Sequence, residues 1–297
     1  MDGILIIDKP EGWTSHDVVA KVRRIFKTKR VGHTGTLDPF ATGVLVVLVG
    51  KATRLAQFLD KDEKEYEAVV RFGFETSTGD RTGARTAESD LSNEGIGNRL
   101  AEVDWPSVTS KFTGEIEQTP PMYSAKKVGG RKLYELARQG VAVARQPAKI
   151  FVSRLEIVGA EGSAVRIRVV CSAGTYIRTL AEDVGRDVGL GAHLEELRRT
   201  RAGRFGLPDS VKIDELERAD DPAVSVKDIR SAIEHLQEFR LPPERIEKTK
   251  NGLSTRVPDD FPKADGPVRM TDGAGELIAI GYYDAERRSI QPKIVLI

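Results

Sequence analysis

The segment Val44–Val49, VLVVLV, constrains this chain more than any other. Six consecutive aliphatic residues are far too few to cross a bilayer as a helix, which takes about 20. Four of the six are valine, which favours extended backbone, so the segment reads as a buried strand that needs cover. A loop rich in Gly, Thr and Pro, RVGHTGTLDPFATG (30–43), leads into it. Length sets the scale of that cover. A chain of 297 residues, 39% of them hydrophobic, buries roughly three quarters of its unfolded surface and stands near the size at which one core becomes two. One large domain and one small one are expected. The lone cysteine, Cys171, excludes a disulfide scaffold and points to a reducing compartment. The opening MDGILIIDKP has neither a basic leader nor a cleavage site, so a cytoplasmic protein with no membrane partner is expected.

Flanking patterns fill in the fold. Thr14 to Phe26 reads as a helix, with Thr14 as N-cap, Asp17 three residues on, and an apolar stripe of Val18, Val19, Val22, Ile25 and Phe26. Tyr66–Phe72 and Ala164–Cys171 alternate as half-buried strands, and Thr175 to Val188 looks helical. The elements do not alternate strictly as strand and helix, so a mixed α+β fold is expected over a doubly wound parallel one. Near the end, Val226 to Phe239 reads as a last amphipathic helix and Leu241-Pro242-Pro243 as a linker. Short strands over Glu276–Tyr283 and Ser289–Ile297 then suggest a small β domain of about 55 residues.

Charge is nearly balanced overall, 46 basic against 45 acidic side chains, but unevenly placed. Lys21 to Arg30 holds six basic residues and no acid. Lys126 to Arg154 holds eight against one acid, Glu135, and Arg198, Arg199, Arg201 and Arg204 form a third cluster. Each alone would suit a solvated face; three together point to a polyanion-binding face.

Several chemistries fail on spacing. Gly50-Lys51-Ala52-Thr53 lacks both the upstream glycine and the hydroxyl after lysine that a phosphate loop needs. His16, His33, His193 and His235 lie far apart and no cysteine cluster exists, so no metal site is expected. Cys171 shares a face with Val165, Ile167 and Val169, which suits packing. Two segments remain. Gly32–Pro39 presents the carboxylate of Asp38 on a glycine-rich loop, although Asp before Pro is also a common turn residue. Cys171–Arg178 ends a strand in a glycine turn and starts a helix with Arg178 in its first turn, against the helix dipole. A buried arginine there needs an acid, and Asp38 is a candidate.

GHTGTLDPFATGVLVV, KEYEA (64–68), MYSAKKVGGRKLYELARQG (122–140) and SAGTYIRTLAEDVG (172–185) together resemble bacterial TruB-type tRNA pseudouridine-55 synthases. LIIDKPEGWTSHDVV and GAHLEELRRTRAGRF also match, so the resemblance runs in order over about 3–206 and more weakly over 239–297. It implies a pseudouridine synthase fold, a mixed and largely antiparallel sheet flanked by helices, spanning 1–238. An RNA-gripping insertion at about 111–146 and a PUA-like RNA-binding β domain at 239–297 are also implied. The implied reaction turns a T-loop uridine of tRNA, flipped into the pocket, into pseudouridine with no cofactor or metal.

Asp38 matches the catalytic aspartate, and Arg178 the arginine that pairs with it and lowers its pKa. Tyr66 matches the tyrosine that stacks on the base and is a candidate for taking the C5 proton. Leu197, Tyr176 and Ile177 match the pocket wall, His33 a support for the extruded base, and Lys9 a structural lysine near the site. Lys126, Lys127, Arg131, Lys132, Arg198 and Arg199 are the expected RNA-backbone contacts. The partner implied is the tRNA T-stem-loop, without guide RNA, bound by a monomer. Whether Asp38 adds to C1′, adds to C6 or removes the C2′ proton stays open at this stage. Two alternatives are a guide-RNA-dependent ribosomal RNA synthase and a non-catalytic tRNA-folding protein.

Overall fold

The computed structural model describes residues 1–59, 62–124, 126–141, 143–262 and 266–296. A ten-stranded sheet forms the larger part. Its strands are β1 (Gly3–Lys9), β2 (Val31–Thr34), β3 (Thr42–Val49), β4 (Lys64–Phe72), β5 (Gly114–Gln118), β6 (Ala148–Glu161), β7 (Ala164–Cys171), β8 (Ala192–Ala202), β9 (Phe205–Gly206) and β10 (Val211–Lys212). The order is β10-β1-β3-β8-β4-β7-β6-β5, with β2 on β3 and β9 on β8. Only β1–β10 and β3–β8 pair in parallel, so the sheet is mixed and largely antiparallel.

VLVVLV lies at the heart of β3, and its alternate side chains serve two cores. Val44, Val46 and Leu48 pack with Ile4 and Ile6 on one face. Leu45, Val47 and Val49 pack on the other with Leu5, Ile7 and Val18, Val19 and Val22 of helix α1 (Ser15–Ile25). Thr14 caps α1 reciprocally: its Oγ1 accepts from the Asp17 amide at 3.1 Å, and its own amide donates to Asp17 Oδ2 at 2.8 Å. A second helix, α2 (Ile177–Val188), buries Ile177, Leu180, Ala181, Val184 and Val188 against β4, β7 and β8. Gly185 permits this, because a Cβ there would strike the backbone of Ala192.

Three details differ from the sequence-based expectation. The Gly/Thr/Pro loop is shorter, since residues 31–34 pair antiparallel with β3. Residues 226–239 do not form a helix. Asp228 caps the amide of Arg230 into a 3-10 turn, Ile229–Ala232, and the chain then extends as β11 (Gln237–Arg240). Ile233 and Phe239 enter two different cores, so tertiary pairing overrides the helical period. Leu241 is no free linker: it is 3% exposed, and its amide donates to Thr271 O at 2.7 Å. Pro242 and Pro243 instead open helix α3 (Pro243–Lys250).

The second sheet runs β11, β13 (Pro267–Thr271), β14 (Leu277–Asp284), β15 (Ser289–Val295) and β12 (Thr255–Arg256). Ile280, Ile294 and Leu296 of this part share a core with Ile4, Val44 and Leu48 of the large sheet. No described helix is long and apolar enough to cross a membrane.

Candidate active site

Asp38 stands on the loop between β2 and β3. That loop is fixed from below: Ser15 Oγ accepts from the Leu37 amide at 2.9 Å and lies 3.2 Å from its carbonyl. Lys9 fixes its far side. The ammonium, on a residue with no exposed surface, donates to the carbonyls of Pro10, Trp13 and Pro39 at 2.9, 2.6 and 3.3 Å. Burial brings its pKa down to about 8. Lys9 therefore ties loop backbones together, and Gly43 keeps the end of the loop close to β8. Its φ is +100° and a Cβ would run into the Arg199 carbonyl.

Arg178 meets Asp38 from the start of α2, with Nε 2.9 Å from Oδ2. The arginine is 4% exposed and every arm is engaged. One terminal nitrogen donates to Thr78 O at 2.6 Å and the other to Tyr123 O at 2.7 Å. Asp80, also buried, lies 3.8 Å from the same guanidinium. Asp80 is held in turn by the hydroxyl of Thr78 at 2.8 Å and the amide of Thr82 at 2.9 Å. Tyr176, at the N-cap of α2, has no side-chain cap of its own. Gln118 of β5 replaces one, accepting from the Tyr176 amide at 2.8 Å and donating to its carbonyl at 3.1 Å.

Arg178 acts on the Asp38 pKa in the expected direction, downward, in a site that otherwise raises it, but it does not prevail. Burial raises it, Arg178 opposes that rise, and the nearby Asp80 charge adds to it; the net direction is upward. Tyr66 points from β4 into the same core, 7% exposed, and burial raises its phenol as well. Ile177 and Leu197 line that core, with Leu197 paired across to Ala68. His33 faces His16 edge-on at 5.7 Å, and its buried Nδ1 has no partner. Desolvation first, and the neighbouring cations second, lower its pKa to about 4.

Arg199 requires a correction. It is 1% exposed, donates to Val44 O at 2.7 Å and Gly35 O at 3.0 Å, and hydrogen-bonds Tyr66. Neighbouring strand residues face opposite ways, so Arg198 and Arg199 cannot both point outward. Arg198, half-buried, pairs with Asp8 at 2.8 Å. Lys126 and Arg131 are exposed, whereas the side chains of Lys127 and Lys132 lie outside the described residues. Asp80 and Gln118 escaped the sequence reading, because neither sits in a pattern that marks burial beside an arginine. A separate cavity of about 410 Å³ lies beside Glu11, Glu67, Leu197 and Arg198, but Asp38, Tyr66 and Arg178 do not line it. Cys171 is buried and its thiol is pushed up to about 11, as a packing residue should be.

Residues 23–177 match the model of the TruB family pseudouridylate synthase N-terminal domain, and 178–244 that of the tRNA pseudouridylate synthase B C-terminal domain. Among curated proteins, the chain is 43% identical over 289 residues to tRNA pseudouridine synthase B of Geobacillus thermodenitrificans, covering 94% of each. It is 51% identical over 217 residues to the Solibacter usitatus protein of the same name, covering 73% of this chain and 72% of that one. Among solved structures it resembles a Cbf5-Nop10-Gar1 complex (TM-score 0.74, 28% identity, 99% of this chain and 85% of that one). An H/ACA ribonucleoprotein bound to a substrate RNA containing 2'-deoxyuridine is also similar (TM-score 0.73, 26% identity, with the same coverage). The chain belongs to the TruB family of pseudouridylate synthases.

Proposed function

We propose that the protein converts the T-loop uridine at position 55 of tRNA to pseudouridine, with Asp38 as the reacting carboxylate and the base turned out of the loop into the pocket beside Tyr66. Isomerisation of tRNA uridine follows from the family itself; the position, the residue roles and base extrusion are our reading. The N1–C1′ bond breaks, the uracil turns, C5 bonds to C1′, the C5 proton leaves and N1 gains one. Nothing is added or lost, so no redox partner or group donor is required.

The observation that carries this reading is the pair between buried Arg178 and half-buried Asp38 at 2.9 Å. Attack at C1′, attack at C6 and removal of the C2′ proton all begin with an ionised carboxylate. Burial opposes that form, and Arg178 sustains it. Tyr66, with its phenol raised, meets the base as a neutral ring suited to stacking; accepting the C5 proton would require the phenolate. Ile177 and Leu197 give the uracil an apolar wall with Tyr176 beside it, and neutral His33 supports the opened loop. Extrusion costs a few kcal/mol, which stacking and wall contacts offset. Lys126, Arg131 and Arg198 are the phosphate contacts we retain, together with Lys127 and Lys132. The protein acts in the cytoplasm as a monomer on bare tRNA, without guide RNA. The small β domain serves as a PUA-like RNA contact.

The test is a pseudouridine map of unmodified tRNA incubated with the protein alone. One modified T-loop uridine is expected from the wild type, and none from Asp38→Asn, which still binds tRNA. Robust product from Asp38→Asn overturns the assigned role.

A further inference from the structure

We infer that the exposed basic end of α1, Arg24, Lys27, Lys29 and Arg30, is a second RNA-backbone surface that holds tRNA phosphates about 15 Å from the catalytic loop, given the helix rise of about 1.5 Å per residue. This rests on the tRNA-modifying function proposed above.

These cations are linked to the catalytic loop through α1. Ser15 opens α1 and is bonded to Leu37, the neighbour of Asp38. The cations sit at the other end of the same helix and in the turn after it. From there β2 runs back to His33. Helix α1 and strand β2 thus connect these cations directly to the loop that bears Asp38. A separation of about 15 Å equals roughly four steps along one strand of a duplex, at about 3.4 Å each. An RNA stem leaving the pocket would present several phosphates over that length.

These charges are also unpaired. All four residues are exposed, and among the described residues none of them makes an ion pair. Nearby basic groups are occupied: Lys21 pairs with Glu217, Arg23 donates to Val31 O at 3.0 Å, and Lys51 lies 4.0 Å from Asp2. Several surface arginines elsewhere are paired, Arg168, Arg201, Arg204 and Arg230 among them; Arg218, Arg240 and Arg256 are exposed without an ion pair among the described residues, but they lie far apart in sequence and form no cluster. Favourable interaction with the helix dipole accounts for Arg24, in the last turn. It fades beyond that turn and does not account for Lys29 or Arg30.

The backbone at Lys27 points the same way. Lys27 follows the C-cap Phe26 with φ +48°, in the left-handed region where glycine is favoured. The sequence keeps a charge at a position where a residue without one would fit the backbone better.

The test measures binding of full-length unmodified tRNA across a salt series, with product formation read in the same samples. In Arg24→Ala/Lys27→Ala/Lys29→Ala/Arg30→Ala, the slope of log K against log salt should fall by roughly 2 to 4 units, at about 0.9 for each phosphate no longer neutralised. Kd at moderate salt should rise tenfold or more. The single variant Lys27→Gly separates binding from folding, because it should raise the melting temperature while weakening tRNA binding. An unchanged slope in the quadruple variant overturns the surface. So does an unchanged tRNA slope accompanied by abolished binding to phosphatidylglycerol vesicles, which would assign the patch to a membrane. Failure of the wild type to form pseudouridine while it binds tRNA would instead overturn the proposed reaction and leave the surface standing.

Discussion

Replacing Arg178 with methionine removes the cation from Asp38 while keeping an apolar side chain of similar length in the core. Three hydrogen-bonded contacts disappear, to Asp38, Thr78 O and Tyr123 O. Breaking a fully buried ion pair by removing one partner costs about 3–5 kcal/mol of stability, chiefly by stranding the other charge; with the Asp38 side chain 35% exposed, solvent screening brings the cost below that range. Here the stranded charge can escape by taking up a proton, and the active site reports that escape. The Asp38 pKa is already above the usual carboxylate range because burial outweighs Arg178. An adjacent arginine lowers an aspartate by about 1–3 units, so its loss should raise Asp38 further by that amount. With Asp38 as the proposed reacting carboxylate, activity requires the ionised form and falls as pH drops through the folded pKa. The acid limb of kcat/KM should therefore move to higher pH by about 1–3 units in Arg178→Met, with part of the loss recovered in alkaline buffer. Arg178→Lys keeps one charge but cannot reach all three acceptors, and should shift the limb less. The assay is pseudouridine formation at subsaturating tRNA from pH 5 to 9. An acid limb unmoved in Arg178→Met would refute the argument that this guanidinium sustains the Asp38 carboxylate.

Other outcomes follow from the same geometry. Arg199→Met should cost about 2–5 kcal/mol in urea denaturation, because the Val44 and Gly35 carbonyls lose their donor. It should leave the salt slope of tRNA binding unchanged, whereas an exposed phosphate contact would lower it. Lys9 has a folded pKa of about 8, below its value of about 10.5 in the unfolded chain, so the unfolded state binds more protons between those limits. Stability relative to Lys9→Met should rise as pH climbs from about 8 to 10.5, measured by chemical denaturation of both proteins. Cys171, with its thiol pushed up to about 11, should resist iodoacetamide at pH 8 in the native state and react rapidly once unfolded.

The sequence was most legible where local pattern and burial agree. Ala164–Cys171 alternates cleanly and is a strand over those same residues. The Thr14/Asp17 pair forms both of its capping hydrogen bonds. The need of Arg178 for an acid could be read from its place at the start of a helix, and the structure brings Asp38 to it. Reading failed where a residue's surroundings come from distant chain. Asp80 gains its place beside Arg178 through a turn stacked on β8, a contact that no local spacing encodes. Arg198, Arg199, Arg201 and Arg204 read as one basic cluster only if strand alternation is ignored. With it, Arg199 turns inward, and an irregularity between Arg199 and Arg201 changes the alternation again. The helical pattern over 226–239 failed because its apolar residues are divided between two cores.

The core shared by Ile4, Val44 and Leu48 with Ile280, Ile294 and Leu296 has a bearing on how the molecule comes apart. Two sheets joined through common apolar side chains do not melt independently, because opening either exposes the buried face of the other. Heating should produce a single calorimetric transition, and ending the chain near residue 236 should lower it rather than release a self-sufficient catalytic fragment. The terminal sheet is thus a thermodynamic part of the enzyme, and an exchange of that sheet between relatives would have to carry the matching wall of the large sheet with it.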